Sequence, residues 1–184
     1  MKKVYLAGPD VFLPKPVEMG RRKKEICARY GLIGLFPLDN EIDPKVKGAS
    51  LEIFRSNESL MKKAHAIIAN LTPFRGPSAD AGTVYELGYM AARRKLCLGY
   101  SNDPALYVDR VERFTPVKPC GDRLIDAEGL TVENFRLHDN LMMVHALSRH
   151  GCRLVVPKTP PADIWHDLTS FEKCVKLLAA QLAG

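Results

Sequence analysis

The chain has no Cys-x-x-Cys pair; its five cysteines, Cys27, Cys97, Cys120, Cys152 and Cys174, are odd in number and scattered. That spacing offers neither a disulfide framework nor a thiolate metal site, and it predicts reduced thiols in a cytoplasm. No apolar segment approaches the length of a membrane span. Met1-Lys2-Lys3 leads only into a short apolar run broken at Gly8-Pro9, so no signal peptide is expected. Also missing are a Gly-x-Gly-x-x-Gly after the first apolar run, a Gly-x-x-x-x-Gly-Lys-Ser/Thr loop and a Gly-x-Ser-x-Gly elbow. Their absence excludes the dinucleotide fingerprint, the P-loop and the serine-hydrolase elbow. There is no internal repeat and no low-complexity segment.

What is present suits one globular domain over residues 1–184: 46% hydrophobic and 26% charged residues in a chain long enough to bury a core. The formal charge of +6 is dispersed in small groups, Arg21-Arg22-Lys23-Lys24, Lys62-Lys63 and Arg93-Arg94-Lys95. The last two groups fall at predicted helix C-termini, where cations offset the dipole. Without aromatic interleaving they do not make a nucleic-acid surface, although a small anionic ligand fits them.

Apolar runs at 4–7, 32–38, 66–71 and 96–100 alternate with helical stretches at about 16–29, 51–64 and around Glu86. Strands apolar throughout and separated by helices predict a parallel sheet covered on both faces. The expected fold is α/β, a flavodoxin-like doubly wound parallel sheet of about five strands. Residues 101–133 read as an irregular insertion. A helix over 139–149 stopped by Gly151, a strand at 152–156, a linker at 157–161 and a helix over 171–182 complete the chain. In such a sheet the ligand site lies beyond the carboxyl ends of the strands, here the loops 8–15, 37–43 and 72–80.

Glu86 is a lone carboxylate in the apolar helix that follows Ser78-Ala79-Asp80. Its i±3 and i±4 neighbours are Gly82, Thr83, Tyr89 and Met90, so no ordinary surface ion pair is available. Such a carboxylate either accepts from a backbone amide or tyrosine hydroxyl, or it faces a cavity, a partner chain or a substrate. Asp80, at the predicted helix start, is either an N-cap or the second member of an acid/base pair. The helix dipole is expected to help keep Glu86 ionised.

Four segments in register then become recognisable: 4–12 (VYLAGPDVF), 37–40 (PLDN), 70–88 (NLTPFRGPSADAGTVYELG) and 139–142 (DNLM). Together they resemble the nucleoside 2-deoxyribosyltransferase family over about residues 4–147. The resemblance implies movement of 2-deoxyribose between nucleobases, in nucleotide salvage, through a covalent glycosyl-enzyme. Glu86 resembles the nucleophile that attacks C1′, Tyr5 the tyrosine that orients it, and Asp80 the acid/base for the leaving and incoming bases. Substrate contacts are implied at Gly8, Asp10, Phe12, Glu41, Asn57, Gly82 and Asn140, with Asp10 and Glu41 on base-facing loops. Asn57 stands where many relatives carry Asp. Asn140 resembles a residue given across a subunit interface to the sugar 5′-hydroxyl, so a homo-oligomer with shared active sites is expected. Deoxynucleosides and free bases are the implied substrates, and no cofactor or metal is expected.

The same first half-reaction also serves hydrolysis of a deoxynucleoside or its 5′-monophosphate, with Ser56, Ser59 or Ser78 placed to meet a phosphate. His65 stands where many relatives place an Asp and reads as a helix-end residue.

Overall fold

Five apolar segments form one parallel sheet in the computed structural model, which describes residues 1–40, 42–149 and 152–183. The strands are β1 (Lys2–Ala7), β2 (Leu32–Leu35), β3 (Ala66–Asn70), β4 (Leu96–Tyr100) and β8 (Leu154–Val155), in the order β2-β1-β3-β4-β8. Every pairing is parallel, with Tyr5 opposite Ile67 and Ile67 opposite Cys97. This is the expected flavodoxin-like order.

Side-chain alternation along the strands divides the core in two. Val4, Leu6 and Ile68 face one layer, with Met19, Ile26, Phe171, Val175 and Leu178 of α1 (Pro16–Arg29) and α6 (Thr169–Ala183). Tyr5, Ala7, Ile67 and Ala69 face the other, with Met61, Leu87, Met90 and Leu147 of α2 (Ala49–Lys63), α3 (Ala81–Ala92) and α5 (Leu141–Ser148). Burial of both faces is why residues 4–7 of β1 and 66–69 of β3 are apolar throughout.

β2 stops at Leu35 rather than 38 because Pro37 has no N–H for the ladder. The chain turns there into a short 3-10 segment, Pro37–Asp39, where Asp39 accepts from the Phe36 amide at 2.9 Å. The helices start or stop within a few residues of expectation: α2 begins at Ala49 and α6 runs from Thr169. Gly151, the predicted helix stop, lies outside the described residues.

The irregular reading of 101–133 needs correction. That stretch holds α4 (Tyr107–Glu112) and a small antiparallel sheet of β5 (Lys118–Cys120), β6 (Arg123–Ile125) and β7 (Thr131–Val132). A two-residue Gly121-Asp122 connection, with Gly121 at φ 61, joins the first two strands. The three strands are short and largely exposed, so they carry no apolar alternation. Among the described residues no helix is long and apolar enough to cross a membrane.

Candidate active site

Strand order reverses between β1 and β3, and a cavity of about 310 Å³ opens beside the carboxyl end of β1. Gly8, Val11 and Phe12 from the turn after β1, Pro37 and Leu38 after β2, Ile53 and Asn57 of α2, and Asp80, Gly82, Thr83 and Glu86 of α3 line it. Asn57, Gly82 and Glu86 are shared with a neighbouring hollow of about 270 Å³ that Phe54, Met61 and Tyr85 complete.

Helical periodicity puts Glu86 here. Thr83, Leu87, Met90 and Ala91 form the buried stripe of α3 against the sheet, and Glu86 sits on its shoulder. Tyr5, fully buried in β1, points to the same layer, and its hydroxyl donates to Glu86 Oε1 at 2.5 Å. Burial pushes the Glu86 carboxyl up to about 7; the Tyr5 hydrogen bond opposes the shift and the Asp80 charge adds to it. The helix terminus is expected to help keep Glu86 ionised, but desolvation outweighs the Tyr5 hydrogen bond and the net direction is upward. The same burial, with the Glu86 charge, holds the Tyr5 hydroxyl protonated far beyond its ordinary range.

Asp80 is the N-cap of α3. Its Oδ2 accepts from both the amide and the hydroxyl of Thr83 at 2.9 Å, while Oδ1 takes part in neither bond. Capping and facing the cavity are thus compatible in one side chain. Asn57 Oδ1 is buried without a hydrogen-bond partner among the described residues. Phe12 stands exposed at the rim, stacked on Phe74 with ring centroids 5.3 Å apart, and Phe74 meets the edge of Trp165.

Of the residues singled out from sequence, Gly8, Phe12, Asn57, Asp80, Gly82 and Glu86 come together, with Tyr5 directly behind Glu86. Asp10 does not line the cavity. It is 1% exposed, ion-paired to the equally buried Lys23 at 2.6 Å, and receives Asn70 Nδ2 at 3.3 Å. Its place explains Gly8 instead, since a Cβ there would collide with the Asp10 carboxylate and lie 2.7 Å from Asn70 Cβ. Asn140 is not in this chain's cavity either: it caps α5 through the Met142 amide at 3.0 Å and donates to Glu133 at 2.7 Å. Glu41 lies outside the described residues.

His65 accepts from the Lys3 amide at 3.1 Å, at the amino end of β3 and away from the cavity. Ser56 accepts from Asn40 at 2.7 Å and keeps its own proton to donate, whereas Ser78 already donates to Asp139 at 2.5 Å. Val11, Ile53 and Thr83 are walls that sequence reasoning missed, and only their neighbourhood to the recognised segments pointed to them. Among the described residues no three His, Cys, Asp or Glu side chains are grouped to hold a metal ion.

Fold and cavity together define an α/β protein whose cleft at the switch point is walled by two carboxylates, with a buried tyrosine behind one of them. The sequence profile of the nucleoside 2-deoxyribosyltransferases matches residues 4–142, and the chain belongs to that family. A protein of Schizosaccharomyces pombe described as uncharacterised is 36% identical over 197 aligned positions, spanning 97% of this chain and 89% of that one. The solved structure of a 2-deoxyribosyltransferase from Leishmania mexicana is 28% identical, with a TM-score of 0.67 and 98% of each chain covered. A conserved protein from Enterococcus faecalis, 18% identical with a TM-score of 0.59 over 97% of this chain and 99% of that one, shares the fold.

Proposed function

We propose that the chain transfers 2-deoxyribose between nucleobases of 2′-deoxyribonucleosides through a covalent deoxyribosyl-Glu86 intermediate. The observation that carries this reading is the Tyr5 hydroxyl holding one Glu86 oxygen at 2.5 Å on the wall of a cavity. With Oε1 held, Oε2 attacks C1′ as the C1′–N bond breaks, and Asp80 supplies the proton to the departing base nitrogen. In the second half-reaction an incoming base attacks C1′, its proton passes to Asp80, and the Glu86 carboxylate is released. Two carboxylates dividing nucleophile and acid/base roles is the logic of retaining glycoside chemistry. A fixed carboxylate also lowers the reorganisation needed during attack.

Asn57 Oδ1, buried and without a partner among the described residues, supports an acceptor for a sugar hydroxyl. Exposed Phe12 supports a stacking face for the base. A second copy of the chain completes the site in this reading. It is supported by an apolar groove of about 410 Å³ between α3 and α5, lined by Val84, Leu87, Met142 and Ala146, with Met142 exposed. Asn140 begins the α5 that borders this groove and would reach the partner's sugar pocket. The absence of a membrane-spanning helix among the described residues fits action in the cytoplasm.

The test is incubation with a deoxynucleoside, with and without a second free base, followed by separation of products. A new deoxynucleoside, together with one deoxyribosyl group on the Glu86 peptide of quenched enzyme, is expected. Free deoxyribose released at the same rate with and without the second base would make the chain a hydrolase. A label on any other residue would overturn the mechanism.

A further inference from the structure

A second cavity of about 310 Å³ lies between the β3–α3 loop and α4; it shares no lining residue with the Glu86 cavity, and its wall includes Arg75, Arg110, Arg113 and Asp103. Arg110 is the feature that needs explaining. Its side chain is 1% exposed, yet its Nε, Nη1 and Nη2 have no hydrogen-bond partner among the described residues. Asp139, equally buried, lies 3.3 Å from Nη2 as an ion pair. That carboxylate is already taken up by Ser78 Oγ at 2.5 Å, the Ala79 amide at 3.1 Å and the Asn140 amide at 2.8 Å. It neutralises the guanidinium without satisfying its donors.

Buried donors without acceptors are costly, and a guanidinium presents several in a planar fork that matches a tetrahedral oxyanion. Two more arginines converge on the same space. Arg113 is 57% exposed and paired to Asp103 at 2.7 Å, so it brings charge to the mouth of the cavity. Arg75 lies over the rings of Phe74 and Phe12 at 4.7 and 5.4 Å. Against three cations stand two carboxylates, each already paired, so an added anion gains donors without facing a free negative group.

We propose that this cavity binds a phosphate group, either free orthophosphate or the 5′-phosphate of a nucleotide. Arg110 supplies the buried donors, and Arg75 and Arg113 close on the outer oxygens. The site is separate from the Glu86 cavity and its occupation requires no turnover. It is mechanically linked to that cavity, because Asp139 holds Ser78 and Ala79, the residues immediately before Asp80.

The experiment is calorimetric titration of the full-length Glu86→Ala chain, which removes heat from turnover, with orthophosphate, with a deoxynucleoside 5′-monophosphate and with the matching deoxynucleoside. The same titrations are run on chains that also carry Arg75→Gln and Arg113→Gln, exposed positions whose change leaves the fold intact by circular dichroism, and on Arg110→Met. Saturable one-to-one binding of a phosphate species, weakened at least about tenfold by the Arg75→Gln/Arg113→Gln pair and by Arg110→Met, is expected. Equal affinity for orthophosphate and monophosphate identifies free phosphate as the ligand. Monophosphate binding about tenfold tighter than both orthophosphate and the deoxynucleoside identifies a nucleotide. If neither phosphate species binds saturably, the proposal fails. It fails equally if binding is indifferent to the arginine changes, which would leave an adventitious ion only or a phosphate seated elsewhere. If Arg110→Met does not fold, the exposed pair alone decides.

Discussion

Tyr5→Phe isolates the contact on which the proposed chemistry turns. Phenylalanine fills nearly the volume of the fully buried Tyr5 and removes only the hydroxyl that donates to Glu86 Oε1. That bond stabilises the ionised carboxylate and holds its acidity near 7 against burial. A hydrogen bond to a charged acceptor contributes about 1.5–3 kcal/mol, or about 1–2 pKa units, so Glu86 in the variant should titrate at roughly 8–9. Only the ionised form attacks C1′, and at pH 7 its fraction should fall from about one half to about 1–10%, a loss of about 5- to 50-fold. The assay is the initial rate of base release from a deoxynucleoside between about pH 5 and about pH 10, read as kcat/KM, with near-ultraviolet circular dichroism to verify packing. The acid limb should move upward by about 1–2 units and most of the deficit should disappear at the alkaline end. An acid limb that stays near 7 in a folded variant would refute the argument, because Tyr5 would then not be setting the charge of Glu86. A deficit equally large at every pH would assign Tyr5 to positioning alone.

Glu86 also leaves a mark on stability: its folded-state carboxyl, at about 7 against an ordinary 4.5, binds its proton more tightly than the unfolded chain does. Its contribution is full below about 4.5 and is lost as pH rises through about 7, so Glu86→Gln should gain on the wild type by about 3 kcal/mol between pH 4 and pH 8 in urea unfolding. A difference that stays flat with pH would show that the carboxyl is solvated. Lys23→Met strands the buried Asp10 charge and should cost about 3–5 kcal/mol by the same measurement; a cost below about 1 kcal/mol would place the pair in water. Mixing inactive Asn140→Ala and Glu86→Ala chains should restore part of the activity, because a mixed dimer assembles one site free of both changes. Subunits that exchange without complementing would confine Asn140 to its own chain.

The sheet could be read in advance because its central strands are buried on both faces, which leaves uninterrupted apolar runs such as residues 66–69. Glu86 was legible for the converse reason: a carboxylate without helical partners stands out in an apolar helix. Asp10 was misread because what decides its role is distant. Lys23 lies on α1 and Asn70 at the end of β3, and no local spacing announces that the three meet under Gly8. The antiparallel sheet of 118–132 was missed because strands of only two or three residues are too short to show a periodicity. Arg110 was equally silent, since burial of an arginine depends on a loop and a helix packing together.

The cavity divides unequally between the centre and the rim of the molecule. Tyr5, which aims Glu86, stands on β1, flanked by β2 and β3 and sealed from solvent, so its position tolerates little variation. Phe12 and Leu38 stand on turns at the surface, where insertions and substitutions disturb little else. On the proposed reading, descendants of such an architecture exchange one nucleobase preference for another by remodelling turns, while the apparatus assigned to the sugar is inherited unchanged.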